Sequence, residues 1–306
     1  MYDLVIIGGG PAGVAAGVYA ARKKINVTLV TDGFGGQSFV SADIQNWIGT
    51  RSVSGFDFAK MLEGHLRAQG DIEVINPDLA EKTEKTKSGF TIYLKSGKVL
   101  ETKNILVTTG SHRKRLGIPG EAKLDGKGVV YCSTCDAPIF KDKAVAVIGG
   151  GNAGLEAAVD LLPYAAEIYI FSTSDKLKGD LVTQDKIKTS PKVKIIFKAK
   201  TLEILGDKFV SGLKYEDLSG GGVKEIKLEG VFVEIGAIPN TEFLSGLVDL
   251  NKSGEIIIDH KTQQTSQKGI WAAGDATDVL YKQNNISAGD AVKAVLNIYD
   301  YLNSGR

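Results

Sequence analysis

The chain has 306 residues but only two cysteines, Cys132 and Cys135, and three histidines, His65, His112 and His260. A structural zinc site takes four ligands. The histidines lie far from the cysteines and show no paired spacing, so no structural zinc site is expected. Charge of one sign is also missing. The 37 Lys and Arg are dispersed against 36 Asp and Glu, giving a net charge of +1, and no nucleic-acid surface is expected. No apolar run approaches the roughly 18 residues that a membrane helix needs. The opening "MYDLVIIGGG" is apolar but has no basic leader and no cleavage site. It reads as a buried strand and not as a signal peptide. The expected compartment is therefore the cytoplasm, where thiols are mostly reduced. The two cysteines then point to a catalytic dithiol, or to half a metal site, sooner than to a structural disulfide.

What is present suffices for a sizeable core: 43% of residues are hydrophobic, in a length that fits one large domain or two ordinary ones. "DLVII" is a short β-branched run of the kind buried on both faces of a sheet. The small-residue helix "GVAAGVYAARK" and the strand "NVTLV" follow. Gly8, Gly10 and Gly13 make a G-x-G-x-x-G turn between the strand and the helix, with Pro11 and Ala12 inside it. Asp32 follows 19 residues after Gly13, at the end of the second strand. The same pattern recurs in "KAVAVIGGGNAGLEAAVDLLPYAAEIYIF", where Gly149, Gly151, Asn152 and Gly154 form the turn. One such fingerprint is a weak signal. Two, each between a strand and a helix, indicate two dinucleotide folds. The first glycine allows the tight turn, the second lets a pyrophosphate approach the backbone, and the third lets helix and strand pack closely. The helix N-terminus then offers free N–H groups to the phosphates. The alternative is a tight turn with no ligand.

Short strands are expected after each unit: "EVI", "GFTIYLK" and "KNILVTTG" over 72–110, and "VKIIFKAKTLEIL", "VSGLKYED" and "KEIKLEGVFVEIG" over 192–236. Each set reads as a β-meander. "SGGGV" at 219–223 has no helix after it and reads as a hairpin loop. The chain closes with a strand, Gly274-Asp275, a loop and a helix. Asp275, at a strand end, could meet a hydroxyl-bearing ligand or cap the following turn.

Cys132 and Cys135 are one helical turn apart if "CSTCDAPIF" begins a helix, where a thiol's pKa falls. Asp136 could carry the proton that dithiol–disulfide exchange releases or consumes. A redox-active pair is the favoured reading; two unlinked buried thiols are the alternative.

With two glycine turns and a CxxC-Asp between them, the sequence resembles the low-molecular-weight thioredoxin reductase family over essentially its whole length. The matching segments are "GGGPAG" (8–13), "GGQ" (35–37), "DIQNWIG" (43–49), "CSTCD" (132–136), "IGGGNAGLEAA" (148–158), "GAIPNT" (236–241) and "AAGDATDVLYKQ" (272–283). "GEIIIDHKTQQTS" and "YKQ" look most like the flavoprotein component of alkyl hydroperoxide reductase, whose extra N-terminal thioredoxin-like domain is expected to be absent. Ferredoxin–NADP reductases of this fold lack the CxxC and fit less well.

The resemblance implies an α/β fold of two Rossmann-like dinucleotide-binding domains with three-layer ββα architecture, in the second class of pyridine nucleotide-disulfide oxidoreductases. An FAD domain would span 1–113 and 245–306, and a pyridine-nucleotide domain carrying the CxxC would span 114–244. Gly8, Gly10 and Gly13 would hold the FAD pyrophosphate and Asp32 would face the adenosine ribose. Gly36, Gln37 and Asn46 would lie along the flavin, Gly274 and Asp275 by the ribityl-phosphate region, and Lys282 and Gln283 at the isoalloxazine edge. Gly149, Gly151 and Gly154 would bind NADH or NADPH. Electrons would pass from the nicotinamide through flavin to the Cys132–Cys135 disulfide. Cys135 would be the flavin-side sulfur, Cys132 the interchange thiol and Asp136 the acid/base, with a thioredoxin- or glutaredoxin-like protein as acceptor. The family also implies a homodimer and a rotation of the second domain, for which 111–118 and 238–246 are the candidate hinges.

One stretch departs from the family. NADPH-preferring members carry His-Arg-Arg and a further Arg after the second strand of the nucleotide domain, and these clamp the 2′-phosphate. Here "FSTSDKLK" gives Ser172, Thr173 and Ser174, with Lys178 in place of the last arginine. Nor does Ser172 supply the carboxylate that NADH-preferring relatives use. Three readings stay open: an enzyme using NADH or NADPH with modest selectivity through hydroxyls and Lys176 or Lys178; a degenerate nucleotide site served by ferredoxin or another carrier; or a dithiol oxidase. The intact second glycine turn favours the first, with NADH ahead. In a different class, the chain would be a non-catalytic flavin-binding module, against which the intact CxxC-Asp argues. A small-molecule dehydrogenase lacks a separate substrate domain.

Overall fold

A computed structural model describes residues 1–41 and 44–304; Asp43 of the "DIQNWIG" segment lies outside them. The chain divides into two compact units. One comprises Met1–Val40, Gln45–His112 and Ile238–Arg306, the other Ser41–Ile44 and Arg113–Ala237.

The first unit begins with β1 (Tyr2–Gly9), α1 (Pro11–Arg22) and β2 (Val27–Phe34), followed by α2 (Gly55–Arg67), β3 (Glu73–Ile75), β4 (Ala80–Lys85), β5 (Phe90–Leu94) and β6 (Val99–Val107). The chain then enters β7 (Ser111–Arg113). The second unit contains β8 (Val129–Val130), α3 (Ser133–Asp136), β9 (Ala144–Ile148), α4 (Asn152–Leu161), β10 (Glu167–Phe171), α5 (Leu181–Lys188) and β11 (Val193–Ile196). It continues with β12 (Ala199–Gly206), β13 (Val210–Asp217), β14 (Gly222–Lys227) and β15 (Gly230–Val233). The chain returns through β16 (Ala237–Pro239), which pairs with β7 as a two-stranded ribbon. It ends with β17 (Ile270–Ala272) and α6 (Asn284–Asn303).

In the first unit the strands lie in the order β3-β2-β1-β6-β5-β4, with β17 also on β6. β3, β2, β1, β6 and β17 run parallel, while β6, β5 and β4 form an antiparallel meander. Parallel strands are covered on both faces, and β1 shows it. Val5 and Ile7 join one core with Ile105, Phe90 and Ile270, while Leu4 and Ile6 are fully buried on the opposite side. The segment "EVI" was expected in the meander. It is instead the outermost parallel strand, Thr28 facing Glu73 in register.

In the second unit β11-β10-β9-β15-β8 is an all-parallel sheet, and β12-β13-β14 is a separate antiparallel one. Again the central strand divides its residues by period two. Val145 and Val147 pack with Leu155, Leu161 and Ile187, and Ala146 and Ile148 pack with Leu213 and Val231. The expected single strand "VKIIFKAKTLEIL" is two strands in two sheets. They part at Lys198, which takes a left-handed φ of 49°. Likewise "KEIKLEGVFVEIG" supplies β14 to one sheet and β15 to the other. The "SGGGV" segment closes the β13–β14 hairpin, where Asp217 faces Gly222. Both glycine turns leave the C-terminal ends of interior strands, where open α/β sheets bind ligands. No helix among the described residues is long and apolar enough to cross a membrane.

Candidate functional site

β8 delivers the chain to Cys132, which is extended (φ −145°, ψ 104°) and caps the single turn of α3. The turn closes when the Asp136 N–H donates to the Cys132 carbonyl at 3.1 Å. This places Cys132 and Cys135, 5.4 Å apart at Cα, in disulfide linkage. Three carboxylates surround the turn. The Ser133 and Thr134 hydroxyls donate to one Asp160 oxygen on α4, at 2.8 and 3.3 Å. Glu234 lies one residue past β15, the parallel neighbour of β8, with Val231 facing Val129 and Phe232 facing Val130. Asp136 itself is buried, and burial pushes its carboxyl up to about 7. Glu234 is also buried and pushed up to about 7. Burial is its main cause; Arg113 and the Ser133 N–H oppose it, and the Asp160 and Asp136 charges add to it. A carboxyl poised near neutral pH can hold or release a proton there.

The two glycine turns share one construction. Gly8 has φ 117°, and a Cβ on it would fall 2.3 Å from the Thr108 carbonyl oxygen. A Cβ on Gly13 would fall 1.7 Å from the Gly8 oxygen. Gly10 differs: it caps α1 in extended conformation, and the nearest atom to its Cβ would be the Gly36 Cα at 3.8 Å. In the second turn, Gly149 (φ 141°) and Gly154 would collide with the Glu234 and Gly149 oxygens at 2.3 and 2.0 Å. Gly151 caps α4 and would meet nothing within 4 Å. In each turn the outer glycines are closed against protein, whereas a Cβ on the middle one would meet nothing nearer than ordinary contact distance. Neither helix has an acid in its first turn to compete for its N-terminus. Both turns therefore fit a pyrophosphate lying against backbone N–H groups.

Three distant segments gather at the first turn. Gly36 approaches Gly10, and a Cβ on Gly274 would touch Ala12 at 3.4 Å. Gln37 donates to Ser111 Oγ and Asp275 Oδ2, both at 3.2 Å, and Ser287 donates to Asp275 Oδ1 at 3.2 Å. Asn46 donates to Gln283 at 3.2 Å. Pro11 sits at the first position of α1, where its missing N–H costs nothing. Asp32 is exposed on β2, two residues before the strand ends. Lys282 pairs with Glu255 at 2.8 Å and donates to the Asp275 and Thr277 carbonyls.

At the second turn the segment 172–180 folds back onto the glycines. Ser172 is buried, its Oγ accepts from the Ser174 N–H at 3.2 Å, and it packs against Gly150. The Lys178 N–H donates to the Gly150 carbonyl at 2.8 Å, with its side chain exposed. Asn152 Oδ1 accepts from the Asp180 N–H at 2.8 Å and so anchors the far end of the segment. Among the described residues no group of three or more His, Cys, Asp or Glu is arranged to hold a metal ion.

Sequence reasoning missed Glu234 and Asp160 beside the dithiol, and Glu255 beside Lys282. The signal for Glu234 was a carboxylate embedded in the apolar run "GVFVEIG". Asp160 lies on a helix whose glycines alone carry a motif.

Comparison with known proteins gives a consistent set of likenesses. The sequence profile of the pyridine nucleotide-disulphide oxidoreductase family matches residues 2–293. Over 301 residues, 98% of its length, the chain is 42% identical to an alkyl hydroperoxide reductase component of Staphylococcus epidermidis, covering 59% of that protein. It is equally similar to a protein of Bacillus subtilis named NADH dehydrogenase, covering 58% of it. The chain thus spans somewhat over half the length of these curated relatives. Thioredoxin reductase from Streptococcus pyogenes superposes with a TM-score of 0.91 at 32% identity, over 99% of both chains.

Proposed function

The chain belongs to the pyridine nucleotide-disulphide oxidoreductase family, and from that premise we propose that it is an FAD-dependent disulfide reductase. Its donor in this reading is NADH and its acceptor a thioredoxin- or glutaredoxin-like protein. The observation that carries the proposal is the Cys132–Cys135 disulfide held beside a buried acid, in a chain with two glycine turns of the same construction. FAD, when bound, supplies a two-electron carrier between the nicotinamide and this disulfide.

The chain's own residues do the rest. Gly8, Gly10 and Gly13 would hold the FAD pyrophosphate at the start of α1, with Gln37, Gly274 and Asp275 grouped near them and Asn46 bonded to Gln283. Gly149, Gly151 and Gly154 hold the pyridine nucleotide at α4. Opening the disulfide breaks one S–S bond, takes up an electron pair and needs two protons to give two thiols. Asp136, half protonated near neutral pH, supplies one and regains it from solvent. In the outward reaction the Cys132 thiolate attacks the acceptor's disulfide. Cys135 then attacks Cys132, re-forming the bond and releasing the acceptor as a dithiol.

Two features support NADH over NADPH. Segment 172–180 contains no arginine for a 2′-phosphate, and one relative is named for NADH. A homodimer belongs to the same reading. The experiment is an anaerobic mix with NADH or NADPH, followed by the oxidised-flavin absorbance. Faster bleaching with NADH is expected. A flavin that dithionite bleaches and neither nucleotide does would refute the assigned donor.

A further inference from the structure

Asp160 has no part in the steps above, yet it ties the dithiol turn to α4. Its Oδ2 accepts from both hydroxyls that lie between the two cysteines, Ser133 at 2.8 Å and Thr134 at 3.3 Å. The position is a poor one for an acid. Asp160 is the last residue but one of α4, where the helix dipole is negative, and no basic residue of that last turn offsets it. Its other side borders an open groove lined by Glu156, Val159, Val182, Thr183 and Lys186, so truncating it leaves no sealed cavity. The turn that it holds is weak by itself. α3 is four residues long, too short to persist alone, and Cys132 gives its start no side-chain cap. In the oxidised protein the S–S bond closes this turn covalently. Once that bond opens, the hold passes to non-covalent contacts, among them the Asp136 N–H to Cys132 carbonyl bond and the two hydroxyl bonds to Asp160.

We propose that Asp160 is a positioning residue for the dithiol: through Ser133 and Thr134 it keeps the reduced turn folded, so that the Cys135 sulfur stays within reach of Cys132. The inference rests on the reading of Cys132–Cys135 as a redox pair. In the closing step the Cys135 thiolate attacks Cys132 in its mixed disulfide with the acceptor. The Cys132–Cys135 bond forms, the bond to the acceptor breaks, and the electron pair leaves on the acceptor's sulfur, which takes up a proton. How readily this happens depends on the effective concentration of one sulfur at the other. A turn that loosens on reduction gives the dithiol conformational freedom that the disulfide lacks, and that freedom favours the dithiol. By denying it this freedom, Asp160 makes the pair a stronger reductant.

The test is a redox equilibrium. The full-length protein is equilibrated anaerobically with mixtures of reduced and oxidised dithiothreitol and quenched in iodoacetamide, and mass spectrometry counts the modified cysteines. Asp160→Ala is expected to shift the equilibrium about tenfold toward the dithiol, the scale of one lost hydrogen bond to a charged group. Asp160→Asn, whose amide oxygen still accepts from the hydroxyls, should lie closer to wild type than Asp160→Ala. Ser133→Ala with Thr134→Val removes the same bonds from the other side and should give the shift of Asp160→Ala. Adding Asp160→Ala to that pair should then move the equilibrium no further. A wild-type equilibrium in folded Asp160→Ala would overturn the proposal, and so would a further shift in the triple variant. If Asp160→Ala failed to fold, a wild-type equilibrium in the Ser133→Ala, Thr134→Val protein would overturn it equally. A wild-type disulfide that opens at no dithiothreitol ratio would overturn the redox reading itself, and this inference with it.

Discussion

The middle glycine of the second turn gives a sharp test, because the structure separates its folding role from its binding role. Gly151 has φ −96°, which alanine adopts freely, and a Cβ there would meet no atom within 4 Å. The folding cost of Gly151→Ala is then only the weaker N-cap, somewhat under ~1 kcal/mol. That lowers the melting temperature by a few degrees at most. The same substitution at Gly154 drives a Cβ to 2.0 Å from a backbone oxygen. Overpacking of that kind costs ~1–3 kcal/mol or more, because backbone atoms cannot swing aside. Binding should rank the two the other way. A methyl on Gly151 stands where a pyrophosphate would approach the α4 N–H groups. Losing one hydrogen bond to a charged group there removes ~1.5–3 kcal/mol, or at least about tenfold in affinity. The assay pairs thermal unfolding with the NADH concentration dependence of anaerobic flavin bleaching. Gly151→Ala should melt close to wild type, keep its flavin and need at least about ten times more NADH. Unchanged NADH dependence would refute the assignment of this turn to the nucleotide.

Other consequences are equally open to measurement. Asp136 is raised to about 7 from an ordinary 3.8, so the folded state holds its proton over a window in which the unfolded state has lost it. Its stabilising effect is full below about pH 4 and fades as pH rises toward 7. Denaturant titrations should show Asp136→Asn flattening that decline by on the order of 1 kcal/mol or more, and disulfide turnover should slow about 10- to 100-fold. An Asp136→Asn protein with the wild-type pH–stability curve would contradict the burial argument. Replacing Thr173 and Ser174 together by arginine should move the preference toward NADPH, read as the ratio of the two half-saturation concentrations. Ser172 is buried against Gly150 and is the poorer site for this change. Cys135→Ser should retain flavin and lose reduction of a thioredoxin-like disulfide; normal turnover would break the relay.

The parts of the fold that could be read directly are those where composition and period agree. "DLVII" followed by glycines and a small-residue helix admits one local structure, and so does "AVAVI" before Gly149. β4 escaped notice because "AEKTEK" carries almost no apolar signal; Thr83 is its one buried residue. The break between β11 and β12 depends on Lys198 at positive φ, a conformation that lysine does not advertise. The placement of "EVI" beside β2 is a long-range pairing that three residues cannot encode alone. At the site, Cys132, Cys135 and Asp136 stood out through spacing. Glu234 and Asp160 did not, because each becomes part of the dithiol surroundings only when β15 and α4 are laid against α3. Gly36, Gln37, Gly274 and Asp275 are tied to one another in the sequence only through the resemblance, because their approach to Gly10 and Ala12 joins segments far apart in the chain.

The central claim is that electrons from a reduced nicotinamide reach the Cys132–Cys135 bond. The most direct measurement mixes the flavin-loaded protein anaerobically with excess NADH, quenches in iodoacetamide and counts alkylated cysteines by mass, with Cys135→Ser alongside. The account predicts that flavin bleaching is accompanied by alkylation of both cysteines in the wild type. Complete bleaching with the disulfide still intact would contradict it.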